Sequence, residues 1–178
     1  ENILSIKFLT KTKRMKIKVK YHNPNCKFNF ISKGEWIDLK SSENVNLEAP
    51  TLKEDGTISF DSKMISLGFS MELPEEFEAW IEPRSSTYKT WGIILANSKG
   101  VIDSSYSGNK DVWKFPAIAL RGTTILEGNK ICQFRIMPSQ KASIKTKIKW
   151  LFTNKIEFVE VDNLCNTNRG GFGTTGVK

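Results

Sequence analysis

The sequence has 178 residues, 39% of them hydrophobic, which suits one globular domain with its own core and excludes a disordered chain. A formal net charge of +8 favours anionic partners such as nucleotides, nucleic acid or acidic protein surfaces. No apolar run approaches bilayer length, Glu1-Asn2-Ile3-Leu4 does not read as a signal peptide, and three scattered cysteines (Cys26, Cys132, Cys165) with the single His22 argue against a disulfide framework or an ordinary zinc site, so the expected setting is reducing and cytoplasmic.

In chain order, residues 3–8 and 15–21 read as strands, the second alternating strictly as Met15-Lys16-Ile17-Lys18-Val19-Lys20. The basic residues of Lys7–Lys20 and of Lys141–Lys155 are then solvated faces of edge strands, or a surface for an anion. Asn23-Pro24-Asn25 breaks the pattern, and Trp36–Leu39 and Val45–Leu47 are short apolar pieces. Residues 49–57 form an extended hairpin tip around Asp55-Gly56. Met64–Glu72 reads as a strand pair, and Phe77–Ile81 alternates as a strand. Pro83-Arg84-Ser85-Ser86-Thr87-Tyr88 opens the one short helix, because serine caps helices well. Phe115–Leu120, Ile125, Lys130–Met137, Ala142–Phe152 and Ile156–Val161 complete a run of short strands. Turns every 8–12 residues without a sustained helical period predict an all-β sandwich, barrel or jelly roll.

The stretch Gly100-Val101-Ile102-Asp103-Ser104-Ser105-Tyr106-Ser107-Gly108 lies between two apolar runs, Gly92–Ala96 and Phe115–Leu120, and reads locally as a β-hairpin. Asp103 with Tyr106 three residues on is a positioned base beside an aromatic wall; a turn aspartate and a half-buried strand tyrosine fit the same residues. After Val161 the composition changes to Gly, Thr and Asn. Residues 163–178 contain almost no core-forming residues, so they read as an arm on a β-domain of residues 1–162. Its glycine N–H groups, the hydroxyls of Thr174 and Thr175 and the guanidinium of Arg169 suit an anion.

Five stretches, in order, resemble the five motifs of the trimeric dUTPases, closest to those of Gram-positive bacteria and their phages. They are Gly34-Glu35-Trp36-Ile37-Asp38-Leu39, Pro83-Arg84-Ser85-Ser86, Asn97 through Gly108, Gly128-Asn129-Lys130-Ile131-Cys132-Gln133, and Arg169 through Gly176. The arm is two residues shorter before Phe172 than the common pattern, Ser86 stands in place of the usual Gly, and segments 49–61 and 139–158 exceed those of compact members.

The resemblance implies a distorted jelly-roll, barrel-like β-fold, a homotrimer, a flexible C-terminal arm, and Mg2+-dependent hydrolysis of dUTP to dUMP and pyrophosphate. It implies Asp103 as the base acting on the water that attacks the α-phosphorus. Tyr106 would pack on the deoxyribose and exclude a 2′-OH. Asn97 and the backbone of Gly100, Val101 and Ile102 would read uracil. Arg84, Ser85, Ser86 and Gln133 would hold phosphates. Arg169, Gly173, Thr174 and Thr175 would close over the β- and γ-phosphates. Phe172 would stack on the base, or the Trp113/Phe115 pair would take that role. Mg2+ would bind mainly through the triphosphate and water, with Asp38 a structural or outer-shell acid. Neither a membrane nor nucleic acid is implied as a partner. A dCTP deaminase shares this fold but needs a glutamate on the strand after the hairpin, and between Gly108 and Leu126 the only acid is Asp111. Some phage members also regulate by binding a repressor, which the long segments would suit.

Overall fold

The computed structural model describes residues 14–28, 36–152 and 155–171. The strand expected at 3–8 lies outside them. The elements are β1 (Met15–Tyr21), β2 (Ile37–Lys40), β3 (Val45–Leu47), β4 (Thr51–Leu52), β5 (Ile58–Ser59), β6 (Ser62–Ser66), β7 (Phe69–Glu72), β8 (Phe77–Pro83), α1 (Thr87–Trp91), β9 (Ile93–Leu95), β10 (Gly100–Asp103), β11 (Lys114–Ala119), β12 (Thr123–Ile125), β13 (Lys130–Pro138), α2 (Ile144–Phe152) and β14 (Ile156–Glu160).

Alternation decides which face of each strand is buried. On β1, Ile17 and Val19 are fully buried while Lys16 and Lys18 stay exposed, so the basic run there is a solvated face; Lys18 pairs with Glu72 on β7 at 3.2 Å. The strands form sheets in the orders β14-β1-β7, β10-β8-β13-β2 and β6-β11-β9, with two small ribbons, β12-β3 and β4-β5. Their inner faces meet over an aromatic centre. Trp113 lies with its ring centroid 4.9 Å from that of Phe69 and 5.3 Å from that of Phe134. Tilted and edge-on rings of this kind suit aromatic quadrupoles.

Three readings of the sequence change. Residues 142–152 do not form a strand: Ile144–Phe152 is helix α2, because Ile144, Ile148 and Leu151 recur at helical spacing. Glu76 of the β7–β8 turn fixes its start by accepting from the Ser143 amide at 2.7 Å and from the Thr146 hydroxyl, and Trp150 packs edge-on against Phe77. The stretch around Asp103 is not a hairpin. β10 pairs with β8, whereas β9 pairs with β11, so the chain crosses from one sheet to another between them. Finally, the start of the arm is not without a core residue. Leu164 is 1% exposed, burial worth about 2 kcal/mol.

Candidate active site

Asp103 ends β10, the edge strand of its sheet, with its side chain 51% exposed. One carboxylate oxygen accepts from the Ser105 amide at 2.9 Å and from the Ser105 hydroxyl. The other meets Arg169 Nη1 at 2.6 Å. Partial burial alone would raise the Asp103 pKa; the Ser105 hydroxyl and amide and the Arg169 charge outweigh it and hold the carboxyl below its ordinary value. Asp103 is therefore a carboxylate at neutral pH.

Tyr106 follows in the turn, its amide donating to Asp103 O at 3.1 Å. Its ring is nearly buried and its hydroxyl donates to Val112 O at 3.0 Å. The backbone of Gly171 lies against this ring: a Cβ there would stand 3.2 Å from Tyr106 Cε2. Asn97 is exposed in the turn before β10, Val101 faces out, and Ile102 packs toward the core.

A second cluster forms where β2, β13 and β8 run side by side. Arg84 Nε meets Asp38 Oδ1 at 2.8 Å, and Lys130 Nζ meets Asp38 Oδ2 at 3.1 Å. The Arg84 amide donates to Thr87 Oγ1 at 2.8 Å, and that buried hydroxyl donates to Ile131 O at 2.8 Å. Gln133 Nε2 donates to Pro83 O at 3.1 Å. Ser85 is exposed and Ser86 precedes α1 without a side-chain cap bond.

The structure joins Asp103, Tyr106, Arg169 and Gly171 in one cluster and Asp38, Arg84 and Gln133 in another. It does not join the two within one chain. Asp103 pairs opposite Glu78 of β8 and Gln133 opposite Glu82. Those positions lie about 13 Å apart along a strand, at roughly 3.3 Å per residue.

Trp113 and Phe115 are both 0% exposed within the core, so neither can stack on a ligand; that alternative is removed. Phe172, Gly173, Thr174 and Thr175 lie outside the described residues. Among the described residues, no group of three or more His, Cys, Asp or Glu side chains is placed to hold a metal ion. Three contributors escaped the sequence reading: Thr87, Ser105 and Asp111. The spacing Arg84-x-x-Thr87 and the Asp103-x-Ser105 turn pattern were visible signals. Asp111 gave none, because two of the three backbone amides on its carboxylate lie some sixty residues away.

The dUTPase family model matches residues 32–176. The SPβ prophage-derived deoxyuridine 5'-triphosphate nucleotidohydrolase of Bacillus subtilis is 45% identical over 92% of this chain and 100% of its own length. The chain belongs to the dUTPase family. The dUTPase of Streptococcus mutans superposes with a TM-score of 0.58 at 19% identity, covering 69% of this chain and 93% of that one. A dUTPase from phage phi11 of Staphylococcus aureus, whose structure details a structural Mg(II) ion, gives 0.55 at 18% identity over 72% and 94%. Both likenesses establish the dUTPase fold, mostly β, for this chain. No helix among the described residues is long and apolar enough to cross a membrane.

Proposed function

We propose that this protein hydrolyses dUTP to dUMP and pyrophosphate, with Asp103 as the base. The observation that carries this is the Asp103 carboxylate: ionised, half exposed, held by Ser105 on a strand end, with the Tyr106 ring three residues on. A carboxylate so fixed can orient a water in line with a phosphorus and accept its proton as the bond forms. The leaving group is pyrophosphate.

The Tyr106 ring would lie against the deoxyribose and leave no space for a 2′-OH. Asn97 and the backbone of Gly100, Val101 and Ile102 would meet uracil. Arg84, oriented by Asp38 and Thr87, would hold phosphate oxygens with its planar fork, beside Ser85, Ser86 and Gln133. Arg169 would move to the triphosphate, with Gly173, Thr174 and Thr175 closing over it and Phe172 over the base. The donor set suits Mg2+ carried by the triphosphate and water, ligands this hard ion retains, since Asp38 is committed to Arg84 and Lys130. When bound, the ion neutralises charge on the phosphate oxygens.

Because the Asp103 and Arg84 clusters stand apart in one chain, the complete site would form between subunits of a homotrimer. The test is pyrophosphate release from dUTP, dCTP, dTTP and UTP in parallel with Mg2+, for the parent and for Asp103→Asn. Turnover of dUTP alone is expected, with the variant slower by a factor on the order of 10² or more and its affinity for a non-hydrolysable dUTP analogue unchanged. Near-parental turnover by Asp103→Asn refutes the role of Asp103.

A further inference from the structure

The chain crosses between two sheets at the turn of residues 97–99, leaving β9 on β11 and joining β8 as β10. The turn bends sharply. Ser98 has φ 59°, a left-handed conformation that residues with a Cβ rarely adopt. Its amide donates to Leu95 O at 3.2 Å, and the Lys99 amide donates to Asn97 O. Those bonds are local to the turn. Ladder pairing with β8 starts one residue later, with Gly100 opposite Ile81.

The Lys99 side chain reaches β8 directly. Its Nζ stands 3.5 Å from the centroid of the Trp80 ring and 3.6 Å from Glu82 Oε1. The indole is itself held in place. Trp80 Nε1 donates to Glu78 Oε1 at 2.8 Å. Arg135, opposite Trp80 on β13, has its guanidinium carbon 5.3 Å from the Trp80 centroid and 4.9 Å from that of Trp36. Trp36, Arg135, Trp80 and Lys99 thus form a row of alternating rings and cations across the sheet. The face of an aromatic ring is negative, so each cation is drawn to it. The pair with Glu82 is partly exposed, at 40% and 26% for the two side chains, and contributes little in water. The ring contact is the stronger tie.

What the turn carries gives this tie a role. Asn97 lies two residues before Lys99, and Gly100 directly after it. Uracil presents a donor at N3 and an acceptor at O4, and cytosine presents the reverse at both positions. A site built to bond one edge rejects the other because its own polar groups would be left unpaired, and this works only if those groups are held in place.

We propose that Lys99 is a positioning residue: it clamps the turn onto the Trp80 ring, and the clamp fixes the groups that select uracil over cytosine. The proposal rests on the reading of Asn97 and the backbone of residues 100–102 as the uracil site.

The test combines base discrimination with amide hydrogen exchange on the whole protein. Lys99→Met keeps the length of the stem and removes the charge. It should raise KM for dUTP about fivefold, leave kcat within about twofold, and narrow the dUTP/dCTP ratio of kcat/KM about fivefold, at a parental Tm. Lys99→Arg keeps a cation over the ring and should restore most of the ratio. Glu82→Gln removes only the exposed pair and should leave KM and the ratio as in the parent. Trp80→Leu removes the ring, and adding Lys99→Met to it should cost nothing more; should Trp80→Leu fail to fold, the single Lys99 variants decide. Hydrogen exchange reads the clamp without turnover: the Ser98 amide should exchange faster in Lys99→Met than in the parent, while the amides of β8 and β13 keep their rates. Parental exchange of Ser98 in Lys99→Met, or an equal loss in Glu82→Gln, overturns the clamp and leaves the uracil reading standing. Faster exchange with an unchanged dUTP/dCTP ratio overturns the role in base choice and removes the turn from the uracil site.

Discussion

At the scale of residues, with Asp103 as the proposed base, charge placement around it would set the acid side of the pH profile. The groups around it are Ser105 in its own turn, Arg169 from the arm, and Glu78 opposite it on β8. Its carboxyl lies below the ordinary aspartate value, so the base form survives to lower pH than a free aspartate would allow. Arg169→Ala removes part of that depression, and the acid limb of kcat/KM should move upward, toward the ordinary value of about 3.9. A limb that stays in place would show that Ser105 alone holds the shift. Tyr106 separates ring from hydroxyl. Tyr106→Phe loses the bond to Val112 O, a cost of about 1 kcal/mol, and should keep the preference for dUTP over UTP. Tyr106→Ala should weaken that preference; an unchanged dUTP/UTP ratio of kcat/KM would make Tyr106 a packing residue only. Asp38→Asn would leave Arg84 without its charged partner, and weaker dUTP binding on an intact fold is expected, read by titration with a non-hydrolysable analogue.

At the scale of elements, turns and strands were more legible than pairings. The Asp55-Gly56 tip is where the sequence put it, with Gly56 at φ 81° and its amide bonded to Lys53 O at 3.0 Å. The alternation on β1 was readable because side-chain period alone determines it. The partner of β10 was not, because nothing local states which sheet an edge strand joins. Helix α2 lies where the sequence reads as a strand; lysines at 145, 147 and 149 alternate with other residues there, while the helical spacing of Ile144, Ile148 and Leu151 is the competing signal. The site residues Asp103, Arg84 and Gln133 came from motif order, while their supports, Thr87 and Asp111, depended on distant backbone groups. Two glycines give a matched test. Gly68 has φ 74° and a Cβ there would stand 2.8 Å from Ser42 Cβ, whereas Gly56 has φ 81° in open space. Gly56→Ala should cost about 1 kcal/mol from backbone strain, and Gly68→Ala clearly more, as measured by denaturant midpoints.

At the scale of the whole molecule, the first residues of the arm touch the β-domain. Composition puts the start of the arm after residue 162, and Leu164 and the Arg169 and Gly170 amides on Asp111 hold residues from that arm against the β-domain. Ending the chain after Gly171 should leave Tm almost unchanged and abolish turnover. Ending it after Asp162 should also lower Tm, by roughly 5 °C for about 2 kcal/mol of lost burial. Equal melting of the two truncations would place the arm's base outside the folded unit. The separation of the Asp103 and Arg84 clusters makes a further prediction about assembly. Coexpressing Asp103→Asn with Arg84→Ala should give mixed trimers in which some sites hold both native residues, with activity above either variant alone. Light scattering should report a trimer; a monomer at micromolar concentration, or no recovery on mixing, would place the site within one chain.

The parallel pairing of β1 with β14 joins Met15 to Ile156 and Val19 to Glu160. During synthesis β1 leaves the ribosome early, with its buried face formed by Ile17 and Val19. Its antiparallel neighbour β7 follows soon, but its other edge stays open until nearly the whole described chain has been made. Such late closure between distant segments slows folding and leaves a strand edge free to pair with other nascent chains. The exposed lysines along β1 are charges of the kind that discourage such stray pairing at an open edge.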